Sequence, residues 1–193
     1  MPRTKPAEQR RADLLESGRT LFLSKGVAAT SLEDITSRAG VSKGLFYLYY
    51  RSKDDLLQAL QDQFSAELAD RIRAATNSVA DWGARLDACV EAIFGSYREQ
   101  HDLHQVLFRH GAHVSASHQA THGLVLRALS DLLASGVAMG AFNIDDPDAT
   151  AVLVWASTHG SDPEFLGDPA PADDRLIRAA QQLFRRAAGL KDR

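Results

Sequence analysis

Residues 30–57 read TSLEDITSRAGVSKGLFYLYYRSKDDLL, two short helical patterns set around Ala39-Gly40-Val41-Ser42. Ser31 is a good helix N-cap, and Asp34, three residues on, completes a shortened capping box. The spacing predicts a helix over 32–39 with Leu32 and Ile35 facing inward. Gly40 permits the positive φ that a tight interhelical turn needs. Val41 plugs the space between the helices. Ser42 caps a helix over 43–50 and leaves the N–H groups at its start open to a phosphate. This is the pattern of a helix-turn-helix.

On a helical wheel, GLFYLYY (residues 44–50) splits by face. Phe46 and Tyr50 share one side, flanked by Tyr49, and continue the core of Leu32, Ile35 and Val41. The other side carries Gly44, Leu45 and Leu48, with Tyr47 at its edge. In a lone domain that second side is an apolar patch without a partner. A DNA major groove suits it. Gly44 lets the backbone approach, leucine side chains meet thymine methyl groups, and Tyr47 donates its hydroxyl to a phosphate. Lys43 and Lys53 sit at the two helix starts that flank this side.

Helical periodicity extends through the whole chain, and strand signals are nearly absent. A first helix spans 7–25 and stops at Gly26. Ser52 caps a fourth, running to about residue 75, with Asp54 and Asp55 in its positive first turn. Further helices are predicted over 79–100, 101–113, 119–139, 147–159 and 173–188, with Pro147 well placed in the first turn of the eighth. Residues 160–172 read as a loop. The expected fold is all-α: a three-helix head over residues 1–53, then a helical ligand-binding and dimerisation bundle over 54–193.

Composition bounds the function. At 193 residues with 45% hydrophobic and 24% charged residues, the chain is an ordinary globular one. Cys89 is the lone cysteine, which excludes an intrachain disulfide and a cysteine-rich zinc module. No apolar run reaches membrane-spanning length and the N-terminus has no signal-peptide pattern, so a cytoplasmic location and no membrane partner are expected. Residues 1–55 hold ten Lys/Arg against seven Asp/Glu, a net of +3 where the whole chain is −3. A basic head on an acidic body suggests contact with an anion.

The stretch resembles the DNA-binding signature of the TetR family of bacterial regulators over about residues 10–60. The resemblance lies in Thr30-Ser31, Asp34-Ile35, Ala39-Gly40-Val41-Ser42, Lys43-Gly44, the aromatics Tyr47 and Tyr50, and Ser52-Lys53 before Leu56. It implies a recognition helix and DNA contacts from Thr30, Ser31, Ser42, Lys43, Gly44, Leu45, Tyr47, Leu48, Tyr49 and Lys53. It also implies a homodimer formed by the last two helices, about 147–159 and 173–188, on a palindromic double-stranded DNA operator. A small-molecule effector in the C-terminal part releases the DNA, as in a repressor. Leu45 and Leu48 depart from the family, which often has Thr or Ala at the first and a polar or aromatic residue at the second. Thr36 stands where a small residue is usual.

For the effector, Phe64, Leu68, Phe94, Tyr97, His104, Phe108, Leu126, Leu129 and Trp155 recur on faces that a bundle turns inward, with Tyr97 and His104 as polar groups. The effector expected is apolar or amphipathic. All seven histidines lie between 101 and 159. The pairs His101/His104, His110/His113 and His118/His122 have metal-binding spacing. A histidine-based metal sensor, or a bundle whose head docks protein instead of DNA, are the alternative functions. No cofactor is called for and no catalytic motif is present, so an enzyme is not expected.

Overall fold

Helix ends, more than helix interiors, define the head. In the computed structural model, which describes residues 6–108, 116–159 and 174–190, helix α1 spans Ala7–Ala29, and Gly26 (φ 80°, ψ 161°) breaks it one turn before its end. Helix α2 spans Leu32–Ala39 and α3 spans Lys43–Phe46. Both sides of the capping box form. The Ser31 hydroxyl accepts from the Asp34 amide at 3.1 Å, and the Asp34 carboxylate accepts from the Ser31 amide at 2.8 Å. Lys25 donates to the same carboxylate at 2.6 Å, tying α1 to the start of α2. Gly40 takes the left-handed conformation (φ 67°, ψ 35°) at the end of α2.

Helices α4 (Lys53–Asn77), α5 (Trp82–Glu99), α6 (His101–Phe108), α7 (Ala116–Ala138), α8 (Pro147–His159) and α9 (Asp174–Ala187) follow. The described residues contain no strand, and the fold is all-α as expected. Several boundaries differ from expectation, among them α1, which runs on from the expected residue 25 to Ala29 across the break at Gly26. Helix α3 ends at Phe46 instead of residue 50, because the amides of Leu48 and Tyr49 reach back only three residues, to Leu45 and Phe46. This tighter turn still takes both Phe46 and Tyr50 into the core. Helix α5 starts at Trp82 instead of 79, because Asp81 caps it, accepting from the Ala84 amide at 2.9 Å. The Val79 carbonyl is then free to accept from Arg85, whose guanidinium also lies 4.3 Å from the Trp82 ring centre. Helix α7 starts three residues before the expected 119. The expected end of the sixth helix and the loop over 160–172 lie outside the described residues.

Two compact units form, residues 1–64 with 102–117, and residues 65–101 with 118–193. The unit holding the head therefore extends past residue 53, taking in the first turns of α4 and most of α6. Its core is Leu14, Phe22, Ile35, Phe46, Leu56, Leu60, Phe64, Leu103 and Leu107. Gly18 makes room for Leu56, whose side chain fills the space a Cβ would take. Gln61 donates to the Leu107 carbonyl at 2.7 Å in a buried setting.

The second unit buries Leu68, Ile72, Val90, Ile93, Phe94, Val125 and Leu129 with residues of α8 and α9. Arg185 forms a two-pronged ion pair with Asp87 (2.9 and 2.5 Å), locking α9 onto α5. After α7 the chain turns at Gly140 (φ 69°), and Phe142 folds back against Gly136 and edge-on to Trp82.

Two outcomes test this architecture. Lys25 first, then Ser31, hold the Asp34 carboxyl well below the ordinary carboxylate range. Its contribution is thus present above about pH 4 and lost as acid protonates it. Asp34→Asn should lower Tm at pH 7, and the gap from the parent should narrow as pH falls below 4 in thermal melts. Gly136→Ala drives a Cβ into the Phe142 ring, so chemical denaturation should show a loss of about 1–3 kcal/mol.

Candidate nucleic-acid interface

Helix α3 is positioned from inside. Phe46 is fully buried and Tyr50 nearly so, their rings 5.7 Å apart. Burial raises the Tyr50 hydroxyl above its ordinary pKa, and the Arg11 guanidinium opposes that shift. The Ser42 hydroxyl accepts from the Leu45 amide at 3.2 Å, and the Val41 amide donates back to the Thr36 carbonyl at 3.0 Å, closing the turn. Thr36, unusual at its position, is buried and donates to the Glu33 carbonyl.

With Phe46 and Tyr50 inward, the opposite side stands clear. Tyr47 is 58% exposed and Leu48 77%. Leu45 and Tyr49 are half-buried, and Gly44 is exposed. A Cβ on Gly44 would meet nothing closer than the Ser42 hydroxyl at 3.9 Å, and its φ is not positive. Nothing among the described residues requires glycine there. The outward face of α3 thus presents bare backbone beside one phenol and one uncovered leucine.

The cations are arranged differently from expectation. Thr30, expected at the DNA, is buried: its hydroxyl donates to the Gly26 carbonyl at 2.7 Å, and its amide donates to the Val27 carbonyl. Lys53, expected at a phosphate, also bonds within the head. Its ammonium donates to the Val27 and Thr30 carbonyls (2.7 and 2.9 Å), placing its charge where the end of α1 is negative. Lys43 sits 3.1 Å from Glu33 in an exposed ion pair. The hydroxyls of Ser31 and Ser42 serve as caps. Arg38 and Arg51 were not singled out from the sequence. Both are exposed, and no ion pair among the described residues holds either guanidinium. Asp34 stands one turn before Arg38, but Lys25 and Ser31 already occupy it. An arginine whose nearby acid is committed to a cap is the signal that could have marked Arg38.

The residues expected around an effector divide between the two units. Phe64, His104 and Phe108 form an aromatic cluster in the first, with ring centres 4.9–5.7 Å apart. Leu68, Phe94, Leu129 and Trp155 are buried in the second, with Tyr97 and Leu126 packed against them. Burial raises the Tyr97 hydroxyl well above its ordinary range, and Thr158 faces it. The second unit also encloses a small apolar cavity of about 10 Å³. Leu86, Cys89, Leu133, Val154 and Phe184 line it with Leu129, the one residue it shares with the expected set. Burial pushes the Cys89 thiol up to about 12, which makes it inert. Among the described residues no group of three or more His, Cys, Asp or Glu could hold a metal ion. His110 and His113, and the side chains of His118 and His122, lie outside the described residues. No described helix is long and apolar enough to cross a membrane.

Comparison with known proteins bears on the head most directly. Residues 14–60 match the family model for bacterial regulatory proteins of the tetR family. The chain is 31% identical over 103 residues to the HTH-type transcriptional activator FasR of Mycolicibacterium smegmatis, covering 53% of this chain and 47% of FasR. It is 28% identical over 141 residues to the HTH-type transcriptional repressor KstR2 of Rhodococcus jostii, covering 70% and 69%. The chain thus spans half or less of the length of the first relatives it matches. The solved structure of the fatty acid degradation regulator FadR from Bacillus halodurans shares the fold, with a TM-score of 0.74 at 20% identity over 99% of this chain and all of that one. A capped helix-turn-helix whose outward face is left open, together with these matches, identifies residues 14–60 as the DNA-binding head of bacterial regulatory proteins of the tetR family.

Proposed function

We propose that this protein is a ligand-responsive repressor that binds a palindromic operator as a homodimer in the cytoplasm, with residues 1–53 as the DNA-binding domain and 54–193 as the effector and dimerisation domain. The observation that carries it is the outward face of α3, where Tyr47 and Leu48 stand exposed while Phe46 anchors the helix from behind. The sequence-predicted contacts Ser42, Lys43, Gly44, Leu45 and Tyr49 border that face. Arg38 and Arg51 supply charge for the phosphates. In the second unit, Val152 and Leu153 on α8 and Leu183 on α9 are exposed apolar side chains on the helices assigned to dimerisation. A two-fold interface would cover them. The similarity to FadR, a regulator of fatty acid degradation, and the apolar linings seen here support an apolar or amphipathic effector.

Selection of random duplexes with the full-length protein should enrich a palindrome, and its affinity should fall steeply with salt as counterions are released. Arg51→Ala should weaken binding to all sequences about equally and reduce the salt slope by about one. Failure to enrich any palindrome at moderate salt would reject the operator model. Leu153→Asp places a charge in the proposed dimer face. It should shift sedimentation towards the monomer while leaving the helical circular dichroism unchanged. A dimer of undiminished stability would exclude that face.

A further inference from the structure

Resting on the DNA-binding function proposed above, we infer that the head reads its operator chiefly through the C5-methyl group of a pyrimidine, with Leu48 as the residue that contacts it. The hydrogen-bonding inventory of the reading face is short. Ser42 spends its hydroxyl on the Leu45 amide. Lys43 is held by Glu33 at 3.1 Å and must leave that carboxylate to reach a base. Gly44 has no side chain, Leu45 has no polar atom, and Phe46 and Tyr50 point into the core. Tyr47 brings one exposed phenol, and Tyr49 at the border a half-buried one. This face has no side-chain amide and no free guanidinium, the groups that form two-pronged contacts to adenine and guanine edges.

What the face does offer is Leu48. It is the most exposed large apolar side chain among the described residues, at 77%. It sits on the tightened turn directly after α3, where no other residue covers it. In the major groove the thymine methyl is the apolar feature of a base-pair edge. The open side of Gly44, where an added Cβ would meet no atom within 3.4 Å, allows the backbone the close approach that a short leucine side chain needs. The energetics match the chemistry: covering a methyl group against a leucine is favourable and demands no donor or acceptor. 5-Methylcytosine carries the same methyl at the same ring position, so it belongs to the same ligand class.

The test uses the enriched operator and the full-length protein. Each thymine is replaced in turn by deoxyuridine, which removes only the methyl group. One symmetric pair of thymines should matter, with binding by the parent protein weakened about fourfold per half-site, the effect of one buried methyl. Leu48→Ala should bind the thymine and deoxyuridine operators equally, and its thermal melt should match the parent because the side chain is exposed. If no deoxyuridine substitution weakens binding to an enriched operator, the methyl reading is overturned and DNA binding stands. If Leu48→Ala stays as sensitive to the methyl as the parent, Leu48 is not the contact and the proposal fails. If no operator is enriched at all, DNA binding itself is rejected, and the methyl reading with it.

Discussion

A helix of four residues cannot hold itself together in water, because nucleating one turn costs more than its few hydrogen bonds return. Helix α3 exists because Phe46 is driven completely into the core formed by α1, α2 and the start of α4. That one burial, worth about 1.5–3 kcal/mol for a side chain of this class, sets the rotation of the segment about its axis. Once Phe46 is in, Tyr50 follows it and Leu48 has to face out. The reading surface is therefore the complement of a packing decision.

The electrostatics follow the same logic. Conserving charge for DNA would call for unattached cations, yet several of the head's lysines work on the protein itself. Lys25 completes the Asp34 cap, Lys43 meets Glu33, and Lys53 caps the end of α1 with two short hydrogen bonds. These contacts set the angle between α1, α2 and α4. The exposed Lys43–Glu33 pair is worth little in water and opens readily. The Lys53 bonds serve two carbonyls at a helix end, so that side chain is a structural member of the head. Arg38 and Arg51 are left as mobile charge at the surface.

The second unit follows a different rule. Its core is continuous apolar packing across α5, α7, α8 and α9, and the Arg185–Asp87 pair fixes one register between α5 and α9. Gly83 accommodates that guanidinium, since a Cβ there would overlap it. One apolar cavity among the described residues of this unit measures about 10 Å³, the room of a single water-sized sphere.

Local sequence chemistry determined much of this molecule. Caps, glycine turns and apolar periodicity depend on residues three or four apart, so Ser31, Asp34, Gly40, Ser42 and Pro147 announced helix ends, and the wheel separated Phe46 and Tyr50 from Leu48. What depended on partners distant in the chain was not legible. The capture of Lys53 by carbonyls 23 and 26 residues away, the burial of Thr30, and the division of the expected effector residues between two units were decided by the tertiary structure alone. A side chain's type states which bonds it can make, and only the folded backbone states which partner is within 3 Å to make them.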